Sequence, residues 1–281
     1  MTSITELQTI AAQVRRDIIR MVHSAKSGHP GGSLGCTDLL TALFFEIMDI
    51  NPNNFTLTGK NEDMFFISNG HISPVLYSVM AHRGYFPINE LKTFRLLNSR
   101  LQGHPTSAKH LPGIRVASGS LGQGISIAIG AAIAKKNNKD DKTVFVLTGD
   151  GELEEGQIWE SLLFASANKI DNLIAIVDNN NKQIDGSTDD VCSLGNLKNK
   201  FSAFDWEVLE MNGNIMEETV NMIKHAKTLT GKGKPVMVIM HTEMGMGVDF
   251  MMGTHKWHGT PPNDEQEAKA LSQLPETIGD Y

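Results

Sequence analysis

The chain of 281 residues reads as an α/β protein, a three-layer α/β/α sandwich around a mainly parallel sheet. Three observations predict this class. Five short apolar runs rich in Val, Ile, Leu and Phe lack polar alternation, as strands covered on both faces should. Longer stretches with helical periodicity separate those runs, and strand–helix alternation builds parallel sheets through crossover helices. No composition shift marks a linker, and the length suits one large unit, so residues 1–281 are taken as a single domain.

Taken in order, Ser3 and Glu6 have capping-box spacing, and Leu7, Ile10, Ala11, Val14, Ile18, Met21, Val22 and Ala25 recur at three and four, predicting a first helix that stops at "SGHPGG". Strands are predicted at "MFFIS" (64–68), "TVFVL" (143–147), "NLIAIV" (172–177), "WEVLEM" (206–211) and "PVMVIM" (235–240). Between them, helices are predicted at "DLLTALFFEIM" (38–48), "INELKTFRLL" (88–97), "GISIAIGAAIAKK" (124–136), "GQIWESLLFASANK" (156–169) and "IMEETVNMIKHAKTL" (215–229). The 124–136 helix is small or apolar almost all round until its lysines, which predicts a central, buried position. The stretch 261–281 is polar and reads as a C-terminal surface extension or linker.

Composition excludes several function classes. With 25 Lys+Arg against 32 Asp+Glu the formal charge is −7, so no basic surplus exists to displace the counterions of a nucleic acid. No apolar stretch reaches bilayer length, and "MTSITELQTI" is not a cationic segment followed by an apolar one, so no membrane partner is expected. Two cysteines, Cys36 and Cys192, make a disulfide framework improbable and a reducing, cytoplasmic location the expectation.

The chemistry concentrates in "GDGELEEGQIWE" (149–160), directly after an apolar run. Asp150 should stand at the carboxyl tip of one strand and "DNNNKQIDG" (178–186) at the tip of another. Thirty residues separate Asp150 from Asn180, enough for one crossover helix between neighbouring parallel strands, so both side chains should reach one crevice. A carboxylate and a carboxamide oxygen are hard ligands, suited to Mg²⁺ or Ca²⁺ that keeps sites open for diphosphate oxygens. Gly149 and Gly151 let the backbone pass close to such a group. Either fragment alone would more often be an ordinary turn. Together, each following an apolar run, they resemble the thiamine diphosphate-binding motif.

The rest of the chain resembles the N-terminal, diphosphate-binding half of a transketolase. The resemblance runs in order through "SGHPGGSLG" (27–35), "SNGHISPVLY" (68–77), "GHP" (103–105), "GSLGQGISIAIG" (119–130), the two motifs above and "HKWHG" (255–259). It implies metal ligation by Asp150, Asn180 and the main-chain carbonyl of Lys182. It implies diphosphate contacts from the Gly151 amide, His71 and His258, an apolar contact of Ile184 with the thiazolium, and a backbone contact of Gly119, Ser120 and Leu121 beside the aminopyrimidine. His29, His71, His104 and His258 match histidines that surround the reacting carbon and the sugar hydroxyls, where imidazoles act as acids and bases near neutral pH. Glu155 matches a carboxylate in an acidic network across the subunit interface; its neighbours Glu152 and Glu154 lose the register to Trp159. His23, His82, His110, His225, His241 and His255 are read as surface or packing residues, the methionines of "HTEMGMGVDFMMG" as packing or cover, and Cys36 as a small buried residue.

Members of the family carry the glutamate that activates the aminopyrimidine on a second, pyrimidine-binding domain, to which none of the motifs above belongs; a split enzyme is the expectation, with a fragment of a longer polypeptide as its alternative. The resemblance therefore implies a separately encoded C-terminal subunit, a two-plus-two assembly, and ketol transfer between sugar phosphates or other anionic sugars. Two alternatives share the diphosphate motif: the α-subunit of a 2-oxo acid dehydrogenase, and a non-catalytic cofactor-binding paralogue. "SNGH", "GHP" and "HKWHG" favour sugar handling over the first.

Overall fold

Helix α1 (Ile4–Ala25) opens the structure, a computed structural model that describes residues 2–281. Its capping box forms as predicted: the Ser3 hydroxyl accepts from the Glu6 amide while the Glu6 carboxylate accepts from the Ser3 amide. Leu7, Ala11, Val14, Ile18, Met21 and Val22 are buried, so the predicted stripe is the packed face. Short helices α2 (Pro30–Gly35) and α3 (Thr37–Ala42) follow, and then strand β1 (Met64–Ile67) and helix α4 (Ser73–Arg83). Next come α5 (Gly124–Asn137), β2 (Val144–Gly149), α6 (Gly156–Ala167) and β3 (Leu173–Asn179). A hairpin of β4 (Lys182–Gln183) and β5 (Gly186–Ser187), helices α7 (Thr188–Cys192) and α8 (Leu197–Ala203), and strand β6 (Glu207–Asn212) lead to α9 (Met216–Leu229), β7 (Val236–His241) and α10 (Asp264–Gln273).

The sheet has the order β1-β2-β3-β7-β6 and every pairing in it is parallel. Each predicted strand is present, shifted by no more than two residues at its ends. Side chains alternate between two cores. Phe145, Leu147, Ile174, Ile176, Val236 and Val238 join the core containing the α1, α3, α4 and α9 residues, whereas Val144, Val146, Leu173, Ala175, Val177 and Ile239 join that of α5, α6 and α8. Burial on both faces explains the continuous apolar runs, each fully buried side chain contributing about 1.5–3 kcal/mol.

Four stretches depart from expectation. The predicted 38–48 helix is α3 followed by a π turn, Leu43–Ile47, closed by the Met48 amide on the Leu43 carbonyl. Over 88–97 a 3-10 segment, Ile88–Thr93, gives way to a loop in which Arg95 is left-handed (φ 59°) and donates its amide to the Leu101 carbonyl. Leu91 and Phe94 anchor this loop in the core while Leu96 and Leu97 point outward, so the apolar spacing there does not describe one helix face. Helix α5 buries one side only: Gly130 and Ala134 are exposed and Ile127 and Ile133 half-buried, because among the described residues nothing covers its outer face. Beside it, Leu163 and Phe164 of α6 are 60% and 49% exposed.

The polar stretch 261–281 is docked rather than loose. Asn263 caps α10 through a second capping box, and Ala270 and Leu274 are buried. Arg16 holds Asp280 with Nε at 2.9 Å and Nη2 at 2.6 Å, Arg20 reaches the same carboxylate at 2.6 Å, and the Arg20 guanidinium lies 4.7 Å from the Tyr281 ring centre. Polar composition conceals this docking because its anchors are ion pairs with α1, more than 250 residues away in the chain.

Candidate active site

Strands β2 and β3 end side by side, with Gly149 opposite Asp178, and this register sets the first half of the site. Asp150 follows β2 at the start of a 3-10 turn, Gly151–Glu154; its Oδ1 accepts from the Gly151 amide at 2.8 Å and its Oδ2 from the Asn181 amide at 2.5 Å. Asn180 follows β3. Its Oδ1 accepts from the Lys182 amide at 2.9 Å, and its Nδ2 donates to Asp178 at 2.8 Å. The β4–β5 hairpin then folds back over the strand tips, leaving Ile184 exposed at its turn.

Two carboxylates thus lie buried at one place, Asp150 and Asp178. Burial first, and then the Asp178 charge, push the Asp150 pKa up to about 7, against the pull of three backbone amides. Burial likewise raises Asp178, offset by hydrogen bonds from Thr242, Cys36 and Asn180. Neither has a cationic side chain among its hydrogen-bonding or charge partners.

The second half of the site is four imidazoles delivered by four different segments. His29 precedes α2, His71 sits in a 3-10 turn (Gly70–Ile72) after β1, His104 follows Gly103 in a loop, and His258 follows a turn at His255–Trp257. Ring centres of His29 lie 5.1 Å from His71, 5.6 Å from His258 and 6.3 Å from His104, and His71 and His258 stack at 5.1 Å. Burial is the first cause that lowers every one of their pKa values; His29 falls to about 4, helped by His258, Arg95 and His104. All four are therefore neutral at physiological pH, and the buried Nδ1 atoms of His29 and His258 have no protein partner. Gly119, at φ 105°, packs so tightly against His104 that a Cβ there would lie 2.4 Å from the ring, which rules out any side chain.

His29, His71, His104, His258, Gly119, Leu121, Asp150, Gly151, Asn180, Lys182 and Ile184 line one cleft of about 280 Å³ at the carboxyl ends of the strands. Ser120 and Glu155 do not line it: Ser120 is exposed, and Glu155 stands exposed at the start of α6, against Gly122. His23, His82 and His241 pair instead with carboxylates elsewhere. Met244 lines the cleft and packs on Gly31, Met251 is buried, and Cys36 is buried as predicted.

Three residues escape sequence reasoning. Asp178 orients Asn180; its signal is a polar residue ending an apolar run. Glu152 is buried and accepts from the Ser68 hydroxyl, the Gly122 amide at 2.7 Å and the Gly149 amide at 3.1 Å, joining three loops of the site. In the sequence it is one acid among several in "GELEEG". Arg95, on a loop whose local pattern resembles a helix, meets Ser27 and Gly103 beside His29 and His104.

The described residues contain no group of three or more His, Cys, Asp or Glu able to hold a metal, so a cation at Asp150 and Asn180 would have to take mixed oxygen donors. The uncompensated Asp150–Asp178 pair fits a divalent cation, and the unpartnered imidazole nitrogens fit an anionic, hydroxyl-bearing group beside it.

Comparison with known proteins agrees with this geometry. The family described as "Transketolase, thiamine diphosphate binding domain" matches residues 7–275. The chain is similar to one subunit of the apulose-4-phosphate transketolase of Phocaeicola vulgatus, 40% identical over 264 residues that cover 94% of this chain and 92% of that protein. It is also similar to the 6-deoxy-6-sulfo-D-fructose transketolase subunit SqwG of a Clostridium species, 37% identical and covering 96% of each. Among solved structures, transketolase from Leishmania mexicana superposes with a TM-score of 0.88 at 32% identity, covering all of this chain and 43% of that one. Transketolase from Campylobacter jejuni gives 0.87 at 36% identity, covering 95% and 42%. In sequence and in fold alike, the chain belongs to the transketolase family, as its thiamine diphosphate-binding domain.

Proposed function

We propose that this chain is the diphosphate-binding subunit of a cytoplasmic two-subunit transketolase that moves a two-carbon ketol unit from a ketose to an aldose. The observation that carries this reading is the convergence of four imidazoles on a cleft that also holds a buried carboxylate pair with no cationic side chain among its partners. Asp150, Asn180 and the Lys182 carbonyl would hold Mg²⁺ or Ca²⁺ there, with the Asp178 carboxylate fixing the Asn180 amide by accepting from its Nδ2. The Gly151 amide, His71 and His258 take the diphosphate. Ile184, Leu121 and the Gly119 backbone would cover the rings.

Thiamine diphosphate supplies the nucleophilic carbon that such chemistry requires. The chain's own residues supply proton handling. With their pKa values lowered by burial, the imidazoles can accept a proton from a sugar hydroxyl and return it as C–C bonds break and form. Several such groups suit polyol substrates. Relatives named for apulose 4-phosphate and for a sulfonated fructose act on anionic sugars, so the proposed substrates are sugar phosphates or related anionic sugars.

Relatives whose names make them one subunit of a transketolase support a separate partner that carries the pyrimidine-binding domain and its activating glutamate, in a heterotetramer of two plus two. The apolar outer face of α5 and α6, from Ile127 and Ile133 to Leu163 and Phe164, is the proposed docking surface. Glu155, exposed at the start of α6, would join an acidic network with the partner.

The test is to mix the chain with the product of its neighbouring reading frame, thiamine diphosphate and Mg²⁺, and assay ketol transfer from xylulose 5-phosphate and from sulfonated and branched ketoses. Transfer to an aldose is expected. Turnover of 2-oxo acids alone, or cofactor binding without turnover, would overturn the reading.

A further inference from the structure

Arg95 stands between the segments that carry His29 and His104, and no role above uses its charge. Its Nη1 donates to the Ser27 hydroxyl at 2.8 Å, two residues before His29. Its guanidinium lies so close to Gly103, the residue before His104, that a Cβ at that glycine would come within 2.6 Å of Cζ. Its Nε is buried and without a partner, and among the described residues no carboxylate pairs with it. The backbone holds Arg95 left-handed, with its amide on the Leu101 carbonyl, and the side chain leaves this tightly closed loop toward Ser27 and Gly103.

We infer that Arg95 is a positioning residue: its guanidinium ties the Ser27 segment before His29 to Gly103 before His104, and supplies an unpaired positive charge next to both histidine loops. A fixed cation beside an imidazole disfavours the imidazolium and keeps a nitrogen lone pair available to a substrate hydroxyl. The direction of the imidazole pKa values agrees. After burial, Arg95 is the next cause for His104 and stands behind only burial and His258 for His29. The other titratable groups facing these two rings are His71 and His258, while Tyr77, whose hydroxyl donates to the Gln102 carbonyl, faces Arg95 from α4. None of these is an anion at neutral pH, so Arg95 is the one permanent charge in the group.

The test compares Arg95→Met and Arg95→Lys with the unaltered chain by nitrogen-15 histidine NMR titration, with thermal melting and thiamine diphosphate–Mg²⁺ binding as controls for folding. Arg95→Met is expected to raise the His104 pKa by roughly half a unit, and that of His29 in the same direction, while Arg95→Lys stays near the starting values. Arg95→Gln serves the same comparison should the Met variant not fold. In the two-subunit enzyme, whose use rests on the transketolase reading, the acid limb of kcat/KM should move up by the same half unit in Arg95→Met and stay in place in Arg95→Lys. A merely structural role lowers kcat and melting temperature with unmoved titrations. Titrations that coincide in the Met variant and the unaltered chain, or that shift equally in Met and Lys, overturn the role of Arg95. If the unaltered pair shows no ketol transfer while the titrations behave as stated, the functional reading fails and the role of Arg95 in setting the imidazoles stands.

Discussion

Replacing Asp150 by Asn should have opposite effects on the free and the cofactor-loaded chain. Burial and Asp178 raise the Asp150 pKa from 3.8 to about 7. Without a cation, keeping that carboxylate ionised therefore costs the native state roughly 4 kcal/mol above pH 7. The side chain is nearly inaccessible, so solvent screening removes little of this. Against it, an amide accepts through one oxygen, and either the Gly151 or the Asn181 amide loses its acceptor, at about 1–3 kcal/mol. The net is a metal-free chain more stable by about 1–3 kcal/mol at pH 8, a rise in Tm of roughly 2–6 °C. The sign follows from linkage. A carboxyl whose native pKa is raised binds its proton more tightly when folded, so the cost is full above pH 7 and vanishes as pH falls toward the unfolded value of 3.8. The advantage of Asn should therefore fade between pH 7 and pH 4. Thiamine diphosphate and Mg²⁺ at a hundred times Kd should then stabilise the unaltered chain by about 2.7 kcal/mol and the variant hardly at all. Differential scanning calorimetry at pH 8, 6 and 4.5, with EDTA or with cofactor and metal, measures both effects. A variant that melts below the unaltered chain in EDTA at pH 8, or one that gains equally from cofactor and metal, refutes the reasoning.

Three further outcomes are expected. His104→Ala should spare cofactor binding, measured by calorimetric titration, and lower kcat of the two-subunit enzyme by roughly 10²- to 10⁴-fold; loss of binding in parallel would contradict its assigned role. Asp280→Asn should release the segment 275–281 from α1, with a loss of about 1–3 kcal/mol and faster hydrogen exchange there. Arg16 holds the Asp280 carboxyl well below its ordinary value, so its contribution is present above about pH 4 and is lost as acid protonates it; unchanged exchange in the variant would show that the ion pairs do not anchor the tail. Leu163→Glu combined with Phe164→Glu should leave the melting temperature of the lone chain within a change worth about 0.5 kcal/mol and abolish co-sedimentation with the partner subunit. Assembly that survives both charges would place the interface elsewhere.

The sequence by itself determined the five strands and the first helix. Burial of a strand on both faces demands an unbroken apolar run, and a helix packed on one side demands spacing of three and four, so both requirements are written locally. It also determined that Asp150 and Asn180 share a cleft, since one crossover helix between strand tips leaves little freedom in where the tips lie. Only the tertiary structure decided the rest. Ile88–Leu97 carries helical spacing, yet its leucines divide between core and solvent according to what α4 covers. The four histidines come from positions 29, 71, 104 and 258, and their approach to within about 6 Å depends on loop paths that close over distant contacts. Glu152, Asp178, Arg95 and the Arg16–Asp280 clasp are likewise defined by partners far along the chain. Local pattern encodes which face a segment buries, but electrostatic environment depends on what other segments bring to it, and no window along a single chain contains that.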